Sequence, residues 1–237
     1  MPKQGESKRR SHAERRSDAR ERLLNACLDL LIERGYARLT VADVAAKAAL
    51  SLGAQTNYYR TKLELVIAAA AYSQDGAVRT ADKVAKEAGK SRTPIAAFIR
   101  NARSFYLDRS YLAMIELLVA ARTDQEVAQR FLPLVEPARR HINRVWLEVF
   151  LLEGLPERKA RELLHMTLFL MRGMALATML PSDRNEIPRA RAAWQRMLAE
   201  IVTAARSPAT RPARAAKSRT LPVRSTTRAA GKTRTRG

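Results

Sequence analysis

The stretch SLGAQTNYYRTK, residues 51–62, sets Gln55, Thr56, Asn57, Tyr58 and Tyr59 in succession between Gly53-Ala54 and Arg60. None of the five is charged, and every one carries a hydrogen-bonding group. A core helix does not carry so much polar surface, and a plain solvated helix carries more charge. The chemistry open to such a face is recognition by hydrogen bonds. Gln and Asn amides can make paired hydrogen bonds to adenine, and Thr or Leu can pack on a thymine methyl. Tyr hydroxyls, Lys62 and helix N-terminal amides suit phosphate oxygens, which fix position without reading sequence.

Two short elements must position that face. Thr40 caps the segment VADVAAKA, in which Val41, Val44, Ala45 and Ala48 form one apolar stripe. The residues Ala-Ala-Leu then turn the chain, and Ser51 caps a second short helix. Two short helices joined by a tight turn describe a helix-turn-helix, whose second helix lies in the DNA major groove with its N-terminal half against the base edges. Pairs of this kind also occur in proteins that never meet DNA.

The rest of the chain reads as helix, with no strand-like alternation and no hairpin turn. Residues 18–34 place Leu23, Leu24, Cys27, Leu28, Leu31 and Ile32 at helical spacing, and Gly35 is the stop. Cys27 on that stripe reads as a small core residue. Capping boxes pair Thr40 with Asp43, Thr61 with Glu64 and Thr123 with Glu126. Thr93-Pro94 marks another start, Pro156 and Pro188 open the last two helices, and Pro133 and Pro137 should break or kink theirs. The fold class is all-α.

Composition narrows the partners. The chain has 237 residues, 46% apolar, with 44 Lys and Arg against 23 acids and a net charge of +21. Such an excess favours a polyanion, nucleic acid before a membrane surface. It gathers at the ends: residues 207–237 hold nine basic residues and no acid, and residues 1–22 hold eight against four. The division that follows is a basic flexible arm over 1–17, a helix-turn-helix domain over 18–71, a further helical domain over 72–206, for which the family resemblance described next implies effector binding and dimerisation, and a disordered basic tail over 207–237. A single cysteine fits a reducing cytosol. The apolar run 163–180 carries Arg172 mid-run, so a buried or interface helix is expected there and no membrane span.

Residues 20–69 resemble the N-terminal domain of TetR-family transcriptional regulators. The resemblance rests on the first helix ending in ERGY, on LTVADVAAKA, on Ser-x-Gly-Ala opening the second short helix, and on Thr-Lys-x-x-Leu opening the fourth. It implies that Thr40, Ser51, Leu52, Gln55, Thr56, Asn57, Tyr58 and Lys62 contact DNA. It also implies that Gly53 and Ala54 let the helix approach the groove, and that Tyr59 is a packing aromatic. The chain departs from the family's usual residues at Thr56, Asn57, Tyr59 and Arg60, and Arg60 gains the means to touch a phosphate. The implied protein is a cytoplasmic, nucleoid-associated repressor that holds a palindromic operator as a homodimer. Dimerisation falls to the last two helices, residues 156–180 and 188–205, within 156–205; a fully buried central helix in a monomer is the other reading of the first. The implied partner is a small, hydrophobic or amphipathic effector.

Phe98, Phe105, Trp146, Phe150, Phe169, Met171 and Met174 could line an effector pocket or form plain core, and Trp146, Phe169 and Arg172 are the candidates carried forward. Arg172 needs a partner, either a carboxylate or phosphate on a ligand, an internal acid such as Glu116 or Glu148, or solvent at a dimer edge. No metal, cofactor or catalytic site is expected: His141 and His165 are isolated, and no phosphate-cradling, zinc-protease or serine-hydrolase motif occurs. The basic tail supports a contrasting reading, a nucleoid-type protein that coats DNA without choosing sequence.

Overall fold

A computed structural model describes residues 12–181 and 185–206, and every described element is a helix. In chain order these are α1 (His12–Arg38), α2 (Val41–Lys47), α3 (Leu52–Thr56), α4 (Lys62–Gly89), α5 (Pro94–Tyr106), α6 (Arg109–Ala120), α7 (Gln125–Leu151), α8 (Glu157–Ala177) and α9 (Glu186–Arg206). The tail over 207–237 lies outside the described residues, as does the first part of the arm. Residues 12–17, expected in the flexible arm, are helical: they extend α1 by strong helix formers ahead of Ala19, its first buried residue.

Two apolar clusters organise the chain. The first gathers Leu23, Leu24, Leu28 and Leu31 of α1, Val44 of α2, and Leu65 and Val66 of α4, with Leu117 of α6 and Phe131 of α7. The second gathers Ala81 and Val84 of α4, Phe98 of α5, Trp146 and Phe150 of α7, Leu164 of α8 and Leu198 of α9. The boundary drawn at 71/72 therefore falls inside α4, which feeds both. Trp146 anchors the second cluster: it is fully buried, its indole N–H donates to Ala81 O at 3.1 Å, and Phe98 and Phe105 meet it edge-on at 5.1 and 5.0 Å. Trp194 of α9 donates to Thr167 Oγ1 of α8 at 3.1 Å, joining the last two helices.

Local signals account for most helix ends. Thr40 and Thr61 accept from the amides of Asp43 and Glu64, both at 3.1 Å. The third expected box does not form. Asp124 takes the cap, accepting from Val127 N at 3.0 Å, while Thr123 Oγ1 turns back to Ala120 O at 3.4 Å; a carboxylate is the stronger partner for a helix N-terminus. Pro133 and Pro137 do not break α7. Both lie on its exposed side, where water can satisfy the carbonyls that lose their N–H partners. α5 starts at Pro94 as expected, yet Thr93 makes no side-chain cap, and Glu153 from beyond α7 accepts from Ile95 N at 3.1 Å instead. No helix among the described residues is long and apolar enough to cross a membrane.

Gly35 is the point where α1 ends in function. Its φ of 76° and ψ of 164° are open only to glycine. The turn presents Tyr36 N to Glu116 Oε1 of α6 at 2.8 Å, and a Cβ on Gly35 would stand 2.8 Å from that same oxygen. Gly35→Ala is expected to lower the unfolding free energy by roughly 1–3 kcal/mol in urea denaturation. Gly53→Ala, which meets nothing within 4 Å, should leave it unchanged or slightly raised.

Candidate functional site

The helix-turn-helix is built by short-range bonds and then held against α1. Thr40 Oγ1 donates to Asp43 Oδ2 at 2.6 Å while accepting from its amide, and Arg34 pairs with Asp43 at 2.9 Å. The Thr40 hydroxyl and then Arg34 hold the Asp43 carboxyl below its usual range. α2 closes in a Schellman motif: Ala49 N donates to Ala46 O and Leu50 N to Ala45 O, at 3.1 and 2.9 Å. Ala49 takes the left-handed conformation, φ 54°, that glycine usually supplies. Lys47–Glu33 at 2.7 Å and Arg22 Nη1 donating to Ala48 O at 3.1 Å fasten α2 to α1.

α3 presents one face outward. Ser51 caps it, accepting from Ala54 N at 3.1 Å. Ser51, Leu52, Gly53, Thr56, Asn57 and Arg60 are exposed, as is Thr40, and Tyr58 is half-buried. Thr56 Oγ1 donates to Leu52 O at 2.9 Å. Gln55, expected among the base-reading residues, is instead fully buried: its Nε2 donates to Tyr59 O at 2.8 Å, and its Oε1 has no partner. A five-residue helix must turn one side to the core, and Gln55 lies on that side, where it closes the turn after α3. Tyr59 is buried as the packing aromatic, with Arg20 Nε donating to its hydroxyl at 3.1 Å. Lys62 also turns inward, its Nζ donating to Ala37 O at 3.2 Å and resting 4.3 Å from the centre of the Tyr36 ring. Burial lowers its pKa from the ordinary value, against the pull of Asp124. Arg16 and Ser17 of α1 border an open groove shared with Asn57 and Tyr58, a basic shoulder that the sequence offered only as charge in the arm.

A second site lies farther along. A cavity of about 570 Å³ opens between α4, α5, α6, α7 and α8, reaching Asn25 of α1. Apolar walls come from residues such as Phe105, Met114, Leu132 and Ile142; the polar groups include Tyr106, Tyr111, Asn143 and Arg172. Of the three effector candidates only Arg172 lines it. Trp146 is sealed in the core, and Phe169 is 61% exposed on the outer side of α8. Glu116 and Glu148 are not the partners of Arg172: Glu116 serves the Gly35 turn, and Glu148 is exposed on α7.

Residues 23–69 match the model of the bacterial regulatory proteins of the tetR family. Over 185 residues the chain is 31% identical to the HTH-type transcriptional regulator CymR of Pseudomonas putida, spanning 78% of this chain and 91% of that one. The chain belongs to the TetR family. It is therefore a sequence-specific DNA-binding transcriptional regulator. Solved TetR-like structures share the fold at lower identity. FadR of Bacillus subtilis, in complex with stearoyl-CoA, has a TM-score of 0.55 at 15% identity, covering 75% of this chain and 96% of that one. A transcriptional regulator of Saccharomonospora viridis, in complex with choline, has a TM-score of 0.62 at 14% identity, covering 77% and 96%.

The geometry of this TetR-family regulator separates two amide side chains that the sequence set two residues apart. Gln55→Ala is expected to cost about 1–3 kcal/mol of unfolding free energy, because a buried carbonyl loses its donor. Asn57→Ala on the exposed end of α3 should cost less than about 0.5 kcal/mol. Urea denaturation of the two variants checks this, and equal losses would place both side chains on one surface.

Proposed function

We propose that the regulator is a ligand-responsive repressor that holds a palindromic operator as a homodimer, with residues 18–71 reading DNA and residues 72–206 binding the effector and the second subunit. The observation that carries the DNA surface is Gly53. It is helical, exposed and free of any neighbour that would forbid a side chain, so nothing inside the chain requires glycine there. Close approach of an outside surface gives it a reason. On that surface Asn57 pairs with a base edge, Thr56 and Leu52 pack on methyl groups, and Thr40, Ser51, Tyr58 and Arg60 meet phosphates. Gln55 and Lys62 act from behind as positioning residues, Gln55 through the Tyr59 carbonyl and Lys62 through the turn after α1.

The dimer reading is supported by α8 and α9. Leu163, Leu164, Leu168 and Met171 of α8 are buried, while Met166, Phe169 and Leu176 on its other side are exposed, as are Met179 and Leu180 after it and Met197 of α9. An exposed apolar face of this kind marks an interface. A two-fold pair would set two α3 helices roughly 34–36 Å apart, one DNA turn. The cavity serves as the effector site, in line with the stearoyl-CoA and choline bound by the two structural relatives. The effector releases DNA by binding a conformer with mismatched helix spacing better than the DNA-bound one. The protein works in the cytoplasm, on the nucleoid, by binding rather than catalysis.

Recovery of genomic fragments at about 150 mM salt, with native protein and a Thr56→Ala, Asn57→Ala variant, tests the DNA surface. The native protein should enrich one palindrome that the variant loses, at about 1–3 kcal/mol per base contact. Uniform recovery with both would assign DNA binding to the basic termini and to coating. Met166→Glu should turn a dimer into a monomer in light scattering with unchanged helix content, since it would bury an unpaired charge. A dimer that survives it would move the interface elsewhere.

A further inference from the structure

Arg172 is the least explained charge in the protein. It is half-buried on α8, with its guanidinium 5.7 Å from the centre of the Phe169 ring, hydrogen-bonded to the Tyr106 hydroxyl and near Tyr111. Burial pushes the Tyr106 hydroxyl well above its ordinary range, and the Arg172 charge beside it pulls part of the way back. Among the described residues no carboxylate pairs with Arg172. The two acids on the cavity wall are engaged elsewhere: Asp108 accepts from Ser110 N at 2.8 Å, capping α6, and Glu136 lies between Arg139 and Arg140 at 3.7 and 3.9 Å. Arg79 and Arg139 add positive charge to the same wall. Asn143 on α7 also lines the cavity and keeps its Oδ1 buried with no hydrogen-bond partner. A buried polar group without a partner is costly, and turned over the same amide offers an N–H donor.

We propose that this cavity takes a small organic monoanion, a carboxylate on an apolar body, and that Arg172 binds its head group. The proposal rests on the cavity being the effector site. A guanidinium presents two parallel N–H donors that match a carboxylate, and an anion supplies the counter-charge that the chain withholds. Arg172 is the half-buried guanidinium of the wall, whereas Arg79 is exposed to solvent and Arg139 lies by Glu136, so one buried positive charge calls for one negative charge. The apolar walls take the body, and the volume falls in the range of small-molecule sites. A quaternary ammonium head is disfavoured, because three arginines line the wall. Phe169 stands one turn from Arg172 on the outer face of α8, so the head group is read beside the face proposed to meet the second subunit.

The test is calorimetric titration of the full-length protein with octanoate, octanamide and octylamine, using native protein and Arg172→Gln. These probes share a chain and differ in the head. A charge-assisted, two-donor contact predicts octanoate binding roughly tenfold or more tighter than octanamide, with octylamine weakest. Arg172→Gln should bring octanoate to the level of octanamide and leave octanamide itself unchanged, which also shows that the variant is folded. Arg172→Lys should keep part of the preference. Octanamide or octylamine binding the native protein as well as octanoate would overturn the anion assignment and leave the cavity an effector site. A preference that survives Arg172→Gln would overturn the role of Arg172. Binding by none of the three would remove the cavity as an effector site, and the proposal with it.

Discussion

One helix belongs to two cores, and the rest of the architecture follows from that. α4 begins with Leu63, Leu65 and Val66 among the helices of the DNA-binding part and ends with Ala81, Val84 and Ala88 among those of the larger bundle. At 28 residues it is a rod of roughly 42 Å. A bend or break in it would open one core or the other, so the two halves cannot be repositioned independently at small cost. α7 packs along α4, with Trp146 donating to Ala81 O and His141 meeting Asp82 at 2.7 Å, and so stiffens the rod within the second cluster.

Polar links join the halves as well, alongside the apolar contacts that Leu117 of α6 and Phe131 of α7 make in the first cluster. Arg109, in the first turn of α6, binds Asp29 and, at 2.9 Å, Asn25 of α1. Glu116, two turns later, accepts from Tyr36 N beyond Gly35. Tyr72 on α4 donates to Glu21 of α1 at 3.0 Å. Two of these residues, Asn25 and Tyr72, also line the cavity, as do Ser110 and Tyr111 of α6. A ligand held there would act on side chains that already bridge the two parts. Packed apolar layers have few alternative arrangements, whereas exposed ion pairs and single hydrogen bonds exchange partners at about 1 kcal/mol each. α6 is held both ways, by Ala113, Met114 and Leu117 in the first cluster and by Arg109 and Glu116 at its surface, and only the second set exchanges at small cost.

Local chemistry was readable from the chain because it involves neighbours a few residues apart. Thr40, Ser51 and Thr61 cap where their spacing says, Pro94 opens α5, Gly35 ends the regular part of α1, and the apolar stripe of α1 is buried except at Ile32, which is exposed at its far end. The helix-turn-helix is of this kind: two N-caps and a Schellman turn, all within the eighteen residues from Thr40 to Asn57. Even the failed box at Thr123 is a local contest, won by the carboxylate next door.

What the sequence by itself determined, then, is the all-helical fold, the register of the short helices and the charge of the surface they carry, because each depends on contacts within one or two turns. The tertiary structure decided which side chains of that surface are available. Gln55 and Asn57 are chemically alike, but Tyr59, held by Arg20 from thirty-nine residues away, needs a partner for its carbonyl, and that need turns Gln55 inward. Lys62 is drawn to the Tyr36 ring by the turn that Gly35 allows. Trp146 went to the core because its side of α7 packs against α4 and α5, and Phe169 to the outer face because it lies on the side of α8 opposite Leu164 and Met171. Arg172 reached the cavity for the same reason: its distance from every acid is set by how five helices meet, and no spacing along one of them encodes it.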